Sequence, residues 1–258
     1  MTTPNTTPLT YNGYVTQIGT MAVVQTTTVS GVVQGVDAAF NAIIPQMLNY
    51  AELRIQRDLD LLPSLTTRTY TLTAYTNSLQ LSVNDFVTVQ NLILQLTDNT
   101  YYALLPVSKE FIQNVFSNPY YYAAPKYFAM IGGDLSTGGD TYNNIIFGPY
   151  ADNAYNLNVT GTIRLPTLYQ QATPSLAATG TTFISTYLPD LLIMASMVYI
   201  SAYQRNFGRQ SDDPQMAQSY ESQYQALVRG AGVEEYRKKF QADAWSSEST
   251  SQAATPTR

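Results

Sequence analysis

Any chemistry performed by this chain would have to be carried by carboxylates. The sequence contains no His and no Cys, which removes imidazole bases, thiolate nucleophiles, disulfides and most zinc sites. Every Ser-His-Asp or Cys-His catalytic unit goes with them. Two facing carboxylates roughly 5 to 10 Å apart could still hydrolyse a glycosidic bond. Asp58 and Asp60 are too near in sequence to face one another from one helix, and Asp134 and Asp140 lie in or beside the glycine-rich run Gly132 to Gly139. Asp134, Asp140 and Asp152 lack the alternating ligands of an EF-hand loop, so solvated turn aspartates are the plainer assignment. Gly132-Gly133 and Gly138-Gly139 are not followed by the Lys-Ser/Thr pair that a P-loop needs to hold phosphate. Arg237-Lys238-Lys239, beside Glu234-Glu235, reads as a solvated helix face, able to make rim contacts with an anionic partner. The expectation is therefore a protein without catalytic residues, cofactor or metal, and not an enzyme.

Composition narrows the classes further. The chain has 258 residues, enough to bury a substantial core, with a formal charge of −5 and only 12% charged residues. A nucleic-acid binder displays a basic patch that neutralises phosphates, and none is evident here. Solubility rests instead on Thr, Asn, Gln, Ser and 21 Tyr, a residue favoured where one end of a side chain is packed and the other wet, as at protein interfaces. The N-terminus shows no charged segment followed by an apolar one, so no export signal is expected.

The elements that position these residues are organised around Tyr187 to Gly208. Leu188, Leu191, Leu192, Ala195, Val198, Tyr199 and Ala202 cover more than one helical stripe, so this helix must be buried on most sides. Pro189 and Asp190 suit its first turn, and Gly208 suits a C-terminal cap. Its apolar run is shorter than the ~20 residues that a bilayer requires, so no membrane span is expected. Leu48, Ala51, Ile55 and Leu59 recur at helical spacing from Pro45 onward and predict an amphipathic partner helix ending near Leu62, before Pro63, with Glu52 and the other charges mostly on other faces.

After Pro63 the period becomes two. Strands are expected around Tyr70 to Ala74, Leu79 to Val83, Phe86 to Leu96 (with a bulge near Gln90–Asn91 or burial on both faces), Tyr101 to Leu105, Lys126 to Ile131, Thr141 to Phe147 and Tyr155 to Arg164. Ser108 caps a short helix between them. Asp213-Pro214 predicts the start of a last helix carrying Tyr220, Tyr224, Leu227 and Val228 as its apolar stripe, weakened at Gly230 and Gly232.

The resulting fold class is α+β: a helical bundle of residues 37–63 and 183–242, in which the first helix packs with two C-terminal helices. An antiparallel β-rich region, 64–182, is inserted into it. Residues 1–36, rich in Thr, Val, Gly and Gln, read as an extended N-terminal arm, and 243–258 as a polar C-terminal tail. The residues expected to form the helix packing are Leu48, Ala51, Ile55, Leu59, Leu188, Leu192, Ala195 and Tyr199.

In this order of elements the sequence resembles the head–tail connector, or adaptor, proteins of tailed bacteriophages. The resemblance is carried by Ile44-Pro45-Gln46-Met47-Leu48-Asn49-Tyr50-Ala51-Glu52-Leu53-Arg54-Ile55-Gln56-Arg57-Asp58-Leu59, similar to the family's first helix. It is carried also by Pro125 to Ala129 with Phe147 to Leu157, similar to its middle strands, and by Tyr187-Leu188-Pro189-Asp190-Leu191-Leu192 with the helix that follows. The long Thr-rich arm and extended β region look more like adaptors of short-tailed phages. What the resemblance implies is a structural virion protein, made in the host bacterial cytoplasm and placed at the head–tail interface. It would form a ring, commonly of twelve copies, docked between the portal protein and the tail tube or nozzle protein, leaving a channel through which DNA passes without specific binding. The alternative left open by the residues is a glycan-binding or glycan-cleaving tail component, suggested by a β region rich in Tyr and Asn.

Overall fold

The computed structural model describes residues 8–81, 86–132, 143–172, 180–206 and 215–252. They fall into two units, residues 1–62 with 165–258 and residues 63–164.

The first unit is helical. Its first helix, α1 (Tyr11–Met21), begins where the Thr10 hydroxyl accepts the Gly13 amide, and it buries Tyr11, Tyr14, Val15 and Ile18 at helical spacing. A hairpin follows, β1 (Thr26–Val29) paired antiparallel with β2 (Val32–Gly35). Ser30 and Gly31 both take positive φ, 51° and 82°, the backbone of a two-residue turn whose twist matches the strands it joins. The Asn12 side chain ties this hairpin to α1, donating to the Gly31 carbonyl and accepting from the Val33 amide, both at 2.9 Å. The extended arm expected for residues 1–36 is thus corrected over its described part. The segment is a capped helix and a hairpin, because the Tyr11-Tyr14-Val15-Ile18 stripe has a core to enter.

Helix α2 (Ala38–Asp58) is capped by Asp37 and runs through Pro45 without a break. It ends four residues before the expected stop at Leu62, and a short 3₁₀ turn, Leu62–Ser64, leads out of it.

The second unit begins at this point. Its strands are β3 (Leu65–Leu72), β4 (Ser78–Leu81), β5 (Thr88–Gln95), β6 (Tyr101–Ala103), β7 (Leu105–Pro106), β8 (Tyr127–Ile131), β9 (Asn143–Gly148) and β10 (Tyr155–Thr162), with the short helix α3 (Lys109–Val115) capped by Ser108. They form two four-stranded sheets in the orders β3-β10-β5-β6 and β4-β9-β8-β7. All pairings are antiparallel except that of β7 with β8. The sheets share one core that includes Leu72, Leu81, Leu92, Leu94, Phe128, Ile145, Phe147, Leu157 and Val159.

The alternation expected of β10 is present, with Tyr155, Leu157, Val159 and Gly161 inward. Of the two alternatives for β5, the bulge holds, since Thr160 pairs with Asn91 while Gly161 pairs with Val89, leaving Gln90 as the extra residue. Gly161 allows this close approach, for a Cβ there would lie 2.2 Å from the Thr88 carbonyl oxygen. Val83, Asp134, Asp140 and the glycine-rich run after Gly132 lie outside the described residues.

The chain returns to the first unit at Leu165, earlier than the boundary expected at 182, because Leu168 on α4 (Leu168–Ala172) is buried in the helical core. Helix α5 (Phe183–Tyr187) opens with a reciprocal cap between Thr182 and Ser185. Helix α6 (Pro189–Asn206) then packs against α1, α2 and the last helix, α7 (Gln215–Gln252). The Gly208 cap and the Asp213-Pro214 start fall outside the described residues. Helix α7 passes through Gly230 and Gly232 and continues over residues expected to be tail, to Gln252.

Candidate functional site

The eight residues expected to pack the helices are placed as follows. Leu48, Ala51, Ile55, Leu59, Leu188, Leu192 and Ala195 are all buried in one cluster of the first unit. Tyr199 is half-buried, its ring centroid 5.8 Å from that of Tyr50. Around this apolar seam lies a set of polar contacts, buried at Glu52 and Glu235 and partly exposed elsewhere, that ties the helices together.

The first ties α2 to α7. Arg54 makes a two-pronged pair with Glu221, Nη1 to Oε2 at 2.8 Å and Nη2 to Oε1 at 2.6 Å. Its guanidinium lies 4.2 Å from the centroid of the Tyr224 ring, and the Tyr224 hydroxyl donates to Asp58 Oδ2 at 2.7 Å. Planar, bidentate and ring-stacked contacts are what an Arg makes and a Lys does not. The Glu221 partner raises the Arg54 pKa above its ordinary value, and Arg54 in turn lowers that of Glu221. Burial, reinforced by the Asp58 carboxylate, raises that of Tyr224.

A second contact holds the 3₁₀ turn that follows α2. Glu235, only 4% exposed, accepts the Leu62 amide at 3.0 Å and the Lys238 ammonium at 2.7 Å. Lys238 also meets Glu234 at 2.8 Å, and Lys239 pairs with Asp60. The solvated face expected for this charged cluster is present at Glu234 and Arg237, which are exposed, and is corrected at Glu235, a buried amide acceptor, while Lys238 and Lys239 pair within the chain. Asp58 and Asp60, the carboxylates nearest in sequence to a catalytic pair, serve to hold α7. Asp152 accepts from the Tyr155 hydroxyl at 2.5 Å, which, after burial itself, raises the pKa of that phenol.

The third contact is internal to the first unit. Glu52 is completely buried, in the same stripe as Leu48, Ala51 and Ile55 and not on another face as expected. Its two carboxyl oxygens accept the Leu168 amide at 2.9 and 3.1 Å. One turn on, the Gln56 amide accepts from the Leu165 amide at 3.1 Å and donates to the Leu165 carbonyl at 3.3 Å. Burial pushes the Glu52 carboxyl up to about 8, the Leu168 amide opposing only part of the shift. The Tyr14 hydroxyl of α1 is buried without a well-formed hydrogen bond, beside Ser196 of α6.

Sequence reasoning missed Glu52, Arg54, Glu221 and Glu235. A signal existed for two of them: Glu52 falls at i+4 from Leu48 and i−3 from Ile55, inside the apolar stripe, and Arg54 with Asp58 is an i,i+4 pair. Among the described residues no group of three His, Cys, Asp or Glu is arranged to hold a metal ion. Among them, too, no helix is long and apolar enough to cross a membrane.

Among the polar residues of the surface, both units also expose large aromatic and aliphatic side chains. On α7, Val233, Tyr236 and Phe240 are 53%, 73% and 66% exposed and share one face by their spacing of three and four. In the β unit Tyr75, Tyr101, Tyr120, Tyr121 and Tyr122 are exposed, with Tyr75 edge-on to Tyr122 at 5.0 Å and Phe116 stacked on Tyr121 at 6.2 Å.

Polar groups thus join the helices of the first unit, and exposed rings lie in both units. The model of the SU10 adaptor protein family matches residues 21–252. The chain belongs to that family, a phage head–tail adaptor as the order of its elements indicated. No curated protein matches it.

Proposed function

We propose that this adaptor works as a ring of identical copies between the portal protein and the tail tube or nozzle protein, with a channel for DNA at its centre. The observation that supports this best is α7. One side of the helix is fastened to α2 through Glu221 and Tyr224 and to the Leu62 amide beyond it through Glu235, while Val233, Tyr236 and Phe240 carry an apolar stripe on the other side. An exposed stripe at that spacing suits packing against another helix, and exposed tyrosines in the β unit suit contacts with the next component of the tail. The formal charge of −5 fits a channel through which DNA slides, since Lys and Arg contacts to phosphate are what hold it.

The test is the mass of the purified protein, alone and mixed with portal rings, with electron microscopy of the mixture. A closed ring, or a ring formed on the portal, is expected; a protein that stays monomeric in both conditions would remove the proposal. A second role, glycan recognition by the tail, draws on the exposed Tyr120, Tyr121 and Tyr122. A blank glycan array together with a blank cell-wall digestion would dismiss it.

A further inference from the structure

We propose that Glu52 is a proton-held latch: as the neutral acid it seats residues 165–168 against the helices of the first unit, and its ionisation releases them. The geometry carries this. A carboxyl group with no exposed surface spans from α2 to the backbone of the returning chain, its two oxygens sharing the Leu168 amide at 2.9 and 3.1 Å. One amide cannot replace the hydration that a buried carboxylate loses.

The groups packed around it do not make up the difference. From α1 comes the Tyr14 hydroxyl, itself buried and short of a hydrogen bond, and α1, β1, β2 and α4 contain no charged residue. From α6 comes Ser196, whose hydroxyl donates to the Leu192 carbonyl, while Asp190 of that helix is exposed and accepts the Leu191 amide. From α7, Glu221 is held by Arg54 and Glu235 by Leu62 and Lys238. Among the described residues no Lys or Arg pairs with Glu52. The upward displacement of its pKa to about 8 puts the release just above neutrality.

The experiment uses the full chain in two measurements. Carboxyl ¹³C shifts in protein made with labelled glutamate follow the acid directly, and amide exchange, corrected for the intrinsic rate at each pH, follows residues 165–168. The expected result is one glutamate titrating near pH 8, with protection of the Leu168 segment falling about tenfold per pH unit from the ordinary glutamate range up to that midpoint and levelling off above it, and protection in Glu52→Gln that does not vary with pH. If every glutamate titrates in the ordinary carboxylate range, or the segment keeps its protection through pH 9.5, the latch is wrong. The labelled wild-type titration decides even if Glu52→Gln fails to fold.

Discussion

At the scale of single residues, the polar side chains of this protein do what apolar ones cannot: they set which helix lies against which, and in what register. Arg54 is the clearest case, because it meets a carboxylate pair, Glu221 and Asp58, and the ring of Tyr224 together. Arg54→Ala is expected to cost about 1 to 2 kcal/mol in urea unfolding, and Arg54→Lys to recover less than half of it, because an ammonium cannot form the fork. A double-mutant cycle with Glu221→Gln would measure the pair alone. Glu52 and Glu221 have opposite signs in pH. The Glu52 pKa is raised on folding, to about 8, so its contribution is complete below the ordinary glutamate range and is lost as pH rises through about 8. That of Glu221 is lowered by Arg54, so its contribution is present above the ordinary range and is lost as pH falls through the lowered value. The melting temperature of the wild type should therefore decline from about pH 5 to 8, and Glu52→Gln should flatten that limb while leaving the acid limb in place.

At the scale of elements, burial decides what is indispensable. The N-terminal segment, which by composition read as an extended arm, places Tyr14, Val15 and Ile18 in the helical core with no exposed surface. Ile18→Ala is expected to cost roughly 2 to 5 kcal/mol, read as a shift of the denaturation midpoint. Deleting residues 1–35 should lower the melting temperature and not merely weaken assembly. Leu192→Asp, which puts an unpaired charge at the α2–α6 seam, should abolish folding at a cost of several kcal/mol. In the β unit Gly161→Ala must displace the Thr88 carbonyl or the Phe86 ring. A loss of about 1 to 3 kcal/mol is expected, without loss of the strands in circular dichroism.

At the scale of the whole molecule, Tyr serves both the interior and the exterior, and only position separates the two uses. Tyr224 is fully buried and Tyr236, twelve residues further along the same helix, is 73% exposed. The double change Tyr236→Asp with Phe240→Asp should leave the monomer's melting temperature within ~0.5 kcal/mol of wild type in stability terms. It should also reduce ring formation, read by mass photometry; unchanged assembly would assign the contacts between copies to another face.

Much was legible from the chain as a string of residues. The absence of His and Cys, the two apolar helices, the capped α3, the inward alternation of β10 and the order helix, β insertion, helix, helix all follow from composition and local period, which act over a few residues at a time. The order of those elements was enough to indicate the adaptor family. Tertiary structure alone decided the rest. It closed the returning chain over Glu52 at Leu168, turned the supposed arm into a packed helix and hairpin, extended α7 through two glycines, and gave Glu235 the Leu62 amide and Lys239 the Asp60 carboxylate. The reason is physical: propensity and period act between neighbours in sequence, whereas the burial of Glu52 against Leu168, of Glu235 against Leu62 and of Arg54 against Glu221 joins residues more than a hundred positions apart. Such energies exist only after the helices have met.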